Sequence, residues 1–256
     1  MSEKRDEATP VSADKSATVV LDRTVVFERP HAGPPFLAAD RLTGKGRRGP
    51  VFANVCLRAE LGQLVAVSGE GGDGRTSLLL ALAGRFALAG GTLSVEGRSR
   101  PAEIRRRFTV AQAAPAIGLD GRHTVGDCIK ETTAVSRKAA TAANIRAWLD
   151  RLGVDVDTGD TVGLLPRFEQ VRFAIACAAA SRTPAVVVDD ADEDLNGAGG
   201  ERVFETLRAV ADAGQLVIAS CARHDPPADI VLDLRTSSMV RAPDFDAGRD
   251  RNGDAL

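Results

Sequence analysis

No apolar run in these 256 residues approaches the ~20 needed to cross a bilayer, so no direct membrane insertion is expected. The first residues, MSEKRDEATPVSADKSA, are polar and charged and contain no signal-peptide core. A cytoplasmic location follows as the expectation. Charge of one sign is not in excess: the formal net charge is −2, which supplies no global pull toward nucleic acid or anionic lipid. Four cysteines (Cys56, Cys128, Cys177 and Cys221) stand without C-x-x-C spacing and read as reduced core thiols. The three histidines do not cluster with them, so no structural metal site is indicated. Tyrosine is absent altogether.

What the chain does have is Gly69-Glu70-Gly71-Gly72-Asp73-Gly74-Arg75-Thr76. This fits the phosphate-cradling pattern G-x-x-x-x-G-K-[ST] at every position but one, where Arg75 stands for lysine. Leu64–Ser68 before it reads as a buried strand, and Ser77–Ala83 after it as a helix. Strand, glycine loop, helix is the context in which backbone N–H groups converge on an anion, helped by the partial positive charge of the helix N-terminus. Gly69, Gly71, Gly72, Asp73, Gly74, Arg75, Thr76 and Ser77 are the candidate nucleotide-binding residues, and the Thr76 hydroxyl is a candidate Mg²⁺ ligand. Arginine is a planar fork, bulkier and differently aimed than the compact lysine ammonium. It is expected to hold phosphates while placing a γ-phosphate less well.

Along the chain, strands are expected at Thr18–Glu28, Phe36–Arg41, Val51–Ala59, Leu64–Ser68, Gly91–Glu96, Phe108–Ala111, Ala185–Val188, Leu216–Ser220 and Ile230–Leu234. Gly44–Pro50 reads as a basic, glycine-rich turn. Thr124–Leu165 has helical periodicity and no convincing strand, and reads as a helical insert. Helices are also expected at Glu169–Ala180 and Gly200–Ala213. This alternation argues for an α/β fold with a parallel sheet wrapped by helices. The expected organisation is a disordered tail over 1–16, one domain over 17–243 with its helical subdomain at about 122–168, and a second disordered tail over 244–256.

A triphosphate site also needs a carboxylate for Mg²⁺ at the end of a buried strand, expected beside the glycine-loop strand. Val186-Val187-Val188-Asp189-Asp190 supplies it. Asp189 is the candidate metal ligand, and Asp190 stands where a base or water-orienting group belongs. The run continues to Asp194, so a solvated acidic turn is the competing reading.

The order of these pieces resembles the ATP-binding cassette (ABC) ATPase domain of transporters over about Phe36–Val240. Gln112 in Phe108-Thr109-Val110-Ala111-Gln112 matches that family's glutamine loop, a candidate catalytic and metal-contacting residue. Thr124–Ile129 matches its T-V-x-E-N-[IL] run. Leu165–Glu169 followed by Gln170–Ala176 stands where the L-S-G-G-[QE] signature and its helix belong. Glu193–Asn196 takes the place of the D-loop and Cys221 that of the switch histidine, with His224 three residues beyond. The resemblance implies a P-loop NTPase of ABC type, with a mostly parallel sheet core, an antiparallel β subdomain and an inserted helical subdomain. It implies ATP and Mg²⁺ as cofactors, a multi-pass membrane permease subunit as partner, and a homo- or heterodimer with another ABC domain. It implies a place at the inner face of the plasma membrane, reached through the permease. The composition, rich in Ala, Arg, Asp, Gly and Val, resembles that of a high-GC bacterial genome, and the GRT-type loop, Gly74-Arg75-Thr76, resembles a divergent actinobacterial branch of the family.

Several chemical positions depart from the family pattern. Asp190 replaces the catalytic glutamate, and a reach shortened by over ~1 Å can cost ~10²-fold in rate. Pro166-Arg167-Phe168 replaces the signature Ser-Gly-Gly, where one preorganised donor is worth ~3–4 kcal/mol to a transition state. No aromatic within Gly44–Gly49 can stack on adenine. The expectation is an ATP-binding subunit with slow or absent hydrolysis; the alternative is a non-hydrolysing regulatory or docking protein built on the same fold.

Overall fold

The computed structural model describes residues 34–47, 49–136 and 139–235. The strand expected at Thr18–Glu28 and both expected tails lie outside the described residues.

Two sheets build the molecule. The first is antiparallel, in the order β2-β1-β4, from β1 (Leu37–Gly46), β2 (Gly49–Ala59) and β4 (Leu88–Val95). The expected turn over Gly44–Pro50 is tighter than read: β1 continues through Gly46 and β2 begins at Gly49. The second sheet is parallel, in the order β5-β6-β7-β3-β8, from β3 (Leu64–Ser68), β5 (Phe108–Gln112), β6 (Ala185–Val188), β7 (Leu216–Cys221) and β8 (Ile230–Asp233). β3, β6 and β7 are buried along their whole lengths, as strands covered on both faces must be. Their alternating side chains divide two cores. Leu64, Ala66, Val186 and Val188 face one; Val65, Val67, Ala185 and Val187 face the other.

One placement corrects the sequence reading. The strand that ends in Asp189 is not beside the glycine-loop strand, because β7 lies between β6 and β3. β7, apolar or hydroxyl-bearing and buried at all six positions, takes the central slot. Asp189 therefore approaches the glycine loop across one intervening strand end.

Helices cover the sheet. α1 (Arg75–Leu82) packs with the antiparallel sheet's core, and α2 (Pro101–Arg105) is a single turn, with proline at its start, that the sequence reading lacked. α3 (Val125–Val135) and α4 (Ala142–Leu152) fill the expected helical insert, whose ends meet at an isolated bridge between Thr124 and Thr161. α5 (Arg167–Ala179) and α6 (Gly197–Asp212) complete that layer. Thr124, Thr141 and Asn196 cap α3, α4 and α6 with side-chain oxygens. α1 and α5 have no such cap.

Arg172 on α5 ties this layer together. Its guanidinium donates to the carbonyls of Leu152 and Gly153 at the end of α4, to Thr206 Oγ1 on α6, and to Glu169 Oε1 at 2.9 Å. The pair with Glu169 is mostly buried, and Glu169 Oε2 has no hydrogen-bond partner.

Asn196 sits between the acidic run and α6 and accepts from Gly199 N at 2.8 Å. Replacing it with alanine is expected to remove ~1 kcal/mol of stability. A urea titration checks this: the midpoint falls and the slope stays constant.

Candidate functional site

The site forms where β3 meets α1. Gly72 (φ 97°) and Gly74 (φ 86°) take left-handed backbone that other residues adopt only with strain. Gly74 has a second constraint: a Cβ there would lie 2.1 Å from the Val51 carbonyl oxygen at the start of β2. The hairpin of the antiparallel sheet thus presses directly on the loop. Within the loop, Asp73 folds back, its Oδ2 accepting from Glu70 N at 2.7 Å while Asp73 N donates to the Glu70 carbonyl. α1 then begins with its first-turn amides uncapped by any side chain, and with no acidic residue in that turn. Uncapped amides at a helix N-terminus, approached through glycines, suit a phosphate.

Arg75, the first residue of α1, does not extend into solvent. Nη1 donates to the Gly69 carbonyl at 2.9 Å and Nη2 pairs with Asp190 Oδ1 at 2.7 Å. The side chain is only 13% exposed. The cation expected to hold phosphates is satisfied by a backbone carbonyl and a carboxylate of the same chain.

The strand-end carboxylates separate in role. Asp189 is 2% exposed, and its Oδ1 accepts from Ser220 Oγ at 2.6 Å. Ser220 Oγ in turn accepts from Asp190 N at 2.7 Å. Asp190 sits at φ 45°, partly exposed. Burial, then the neighbouring Asp189, push its carboxyl above the ordinary range, against the opposing pull of Arg75. Asp192 accepts from the backbone N–H groups of Ala222 and Arg223 and so anchors the loop after β7. Asp189, Asp190 and Asp192 are therefore engaged carboxylates, while Glu193 and Asp194 are exposed.

Gln112, at the end of β5, donates from Nε2 to the Asp189 carbonyl at 2.8 Å. With Asp189, Asp190, Glu193, Arg167 and Gln170 it lines an open cleft of about 180 Å³ between the parallel sheet and the helical layer. Arg167 and Gln170 belong to the uncapped start of α5, where the family signature is expected. Phe168 beside them is half-buried and lies under the Arg202 guanidinium at 5.2 Å. Cys221 ends β7 fully buried, its carbonyl accepting from Gly69 N at 3.3 Å; burial raises the thiol to about 11. His224 is exposed and is not among the cleft residues.

Gly69–Ser77, Asp189, Asp190 and Gln112 thus gather at the C-terminal ends of β3, β5 and β6. The sequence reading missed Ser220. It stood in Ile218-Ala219-Ser220-Cys221 as one hydroxyl in an apolar strand, and only a buried hydroxyl's need for a partner could have marked it.

The residues fit a Mg-nucleotide in type. Backbone donors and Thr76 stand at the loop, and the buried Asp189 carboxylate, fixed by Ser220, stands at the strand end. Thr76 and Asp189 would hold the ion.

Two outcomes follow. Ser220→Ala leaves a buried carboxylate oxygen and an amide unpaired, and is expected to lower stability by ~1–3 kcal/mol in denaturant unfolding. The thiols of Cys128, Cys177 and Cys221 are buried and raised to about 11, about 12 and about 11, chiefly by burial. Cys56 is half-buried. A chromogenic disulfide reagent is expected to label one thiol per native chain rapidly, and the other three only after unfolding.

The sequence model of the family described as "ABC transporter" matches residues 52–193, over half of the chain. An ABC transporter ATP-binding protein of Streptomyces avermitilis is 28% identical over 200 residues, covering 77% of this chain and 35% of that protein. The ribose import ATP-binding protein RbsA of a Chelativorans species is 28% identical over 193 residues, covering 70% and 37%. The chain thus spans little more than a third of these relatives. The cytochrome c biogenesis ATP-binding export protein CcmA of Nitrobacter winogradskyi is 28% identical and matched over 97% of its length, against 76% of this chain. Among solved structures, an ABC transporter ATP-binding protein of Pyrococcus furiosus superposes with a TM-score of 0.67 at 18% identity, covering 78% of this chain and 98% of that one.

Proposed function

Because this chain belongs to the ABC transporter family, we propose that it is the ATP-binding subunit of an ABC-type transporter, holding Mg-ATP and hydrolysing it slowly or not at all. The observation that carries the binding half is the uncapped, glycine-entered start of α1 beside the Ser220-anchored Asp189. The amides of the first turn of α1 would seat phosphate oxygens, and the Thr76 hydroxyl and Asp189 would hold the magnesium. Bound there, the ion would neutralise phosphate charge.

The slow-hydrolysis half rests on side chains already committed elsewhere. Asp190, in the position of a base, is one methylene shorter than the glutamate of the family pattern, so even when released from its pair with Arg75 it reaches short of the water it would orient. Gln112 spends its amide N–H on the Asp189 carbonyl. The buried Cys221 offers no imidazole. Pro166, with no N–H, stands at the N-cap of α5, and Phe168 occupies space beside it. In the cell the subunit would sit on the cytoplasmic side of the membrane against a multi-pass permease, paired with itself or another ABC domain. Among the described residues no helix is long and apolar enough to cross a membrane. The engaged Arg75 also favours a second reading, a non-hydrolysing regulatory or docking protein on the same fold.

Calorimetry and phosphate release on the purified chain test this. Mg-ATP is expected to bind and raise the melting temperature. Turnover is expected at least ~10²-fold below the ~10 s⁻¹ typical of enzymes. Asp189→Asn is expected to abolish the magnesium-dependent part of binding. Turnover at ordinary enzyme rates overturns the slow-hydrolysis reading, and absence of heat and of thermal shift overturns binding and leaves a scaffold.

A further inference from the structure

We propose that Arg75 and Asp190 form a latch across the phosphate site: Asp190 occupies Arg75 as an internal substitute for a phosphate, and ligand enters by exchanging places with that carboxylate. The inference rests on the phosphate-binding reading above and adds how the site is controlled. It makes Asp190 a residue that lowers nucleotide affinity.

The geometry supports this at three points. Arg75 is the first residue of α1, so its Cα stands beside the uncapped amides while its head is bonded to the Gly69 carbonyl and to Asp190. Its stem lies over the loop: a Cβ on Gly69 would be 3.4 Å from Arg75 Cδ. The guanidinium bridges Gly69 O and Asp190 Oδ1, closing a span from β3 to the end of β6. Both partners are largely shielded, at 13% and 26% exposure, so water screens the pair weakly and it persists without ligand. A tethered carboxylate competes at high effective concentration. An incoming polyphosphate prevails by using two groups at once, one on the helix amides and one on the freed fork. Asp190 can release the guanidinium without moving its backbone, which Ser220 Oγ holds through the Asp190 N–H.

Asp190→Asn tests the latch. Its left-handed backbone at φ 45° is one that asparagine accepts readily, so the variant is expected to fold. Calorimetric titration with Mg-ATP is expected to show affinity raised about tenfold, the order for a weakly screened ion pair. Removing any negative charge near a triphosphate could also raise affinity, so the same substitution is made in Arg75→Met. If the latch holds, Asp190→Asn changes affinity less than about twofold in that background. An equal gain in both backgrounds, or no gain in the native one, overturns the latch and leaves the binding reading intact. Absence of Mg-ATP binding by the native chain and by every variant overturns both.

Discussion

The site depends on a helix that starts without a cap. α1 leaves the buried C-terminal end of β3 through a loop whose backbone only glycine can follow at Gly72 and Gly74, and its first amides are left without a side-chain acceptor. Elsewhere the chain spends a threonine or an asparagine on that need, at Thr124, Thr141 and Asn196. An uncapped start at the strand ends of a parallel sheet is a standing attraction for negative charge. The surrounding residues answer it with hydrogen bonds and ion pairs of their own: Asp73 folds onto the Glu70 amide, Arg75 turns toward Asp190, and Ser220 holds the Asp189 carboxylate and the Asp190 backbone amide.

The two sheets divide the work. The parallel sheet, buried on both faces, fixes the ends of β3, β6 and β7 within reach of one another. The antiparallel sheet braces the loop from outside, because the Val51 carbonyl lies where a side chain on Gly74 would have to be. The same glycine therefore satisfies a backbone torsion and a close approach, and the loop's shape is imposed from both sides.

Much of this was legible in the chain. All-apolar runs such as Ala185–Val188 and Leu64–Ser68 announced themselves as central strands, and the glycine spacing announced the loop between β3 and α1. The strand order was harder to read: nothing in Val186–Asp189 says that β7 intervenes before the glycine-loop strand, since neighbours in a parallel sheet are set by crossovers. α2 escaped because five residues give too little periodicity. Ser220 escaped because its importance lies in what it touches. The direction of Arg75 escaped for the same reason, since a sequence specifies a guanidinium but not which oxygen it will meet. The departures at Pro166–Phe168 and Cys221 were visible as residue types. Their setting under Arg202, or sealed at the end of β7, required coordinates.

The Arg172 guanidinium has a mechanical consequence. It is bonded at once to the last carbonyls of α4, to Thr206 on α6 and to Glu169 one turn back on its own helix. Three helices thus share a single rivet whose planar head resists shear in two directions. The end of α4 is thereby tied to α5, and the start of α5 carries Arg167 and Gln170 on the wall of the cleft. The helical layer is thus joined, through one guanidinium, to the wall that faces Asp189.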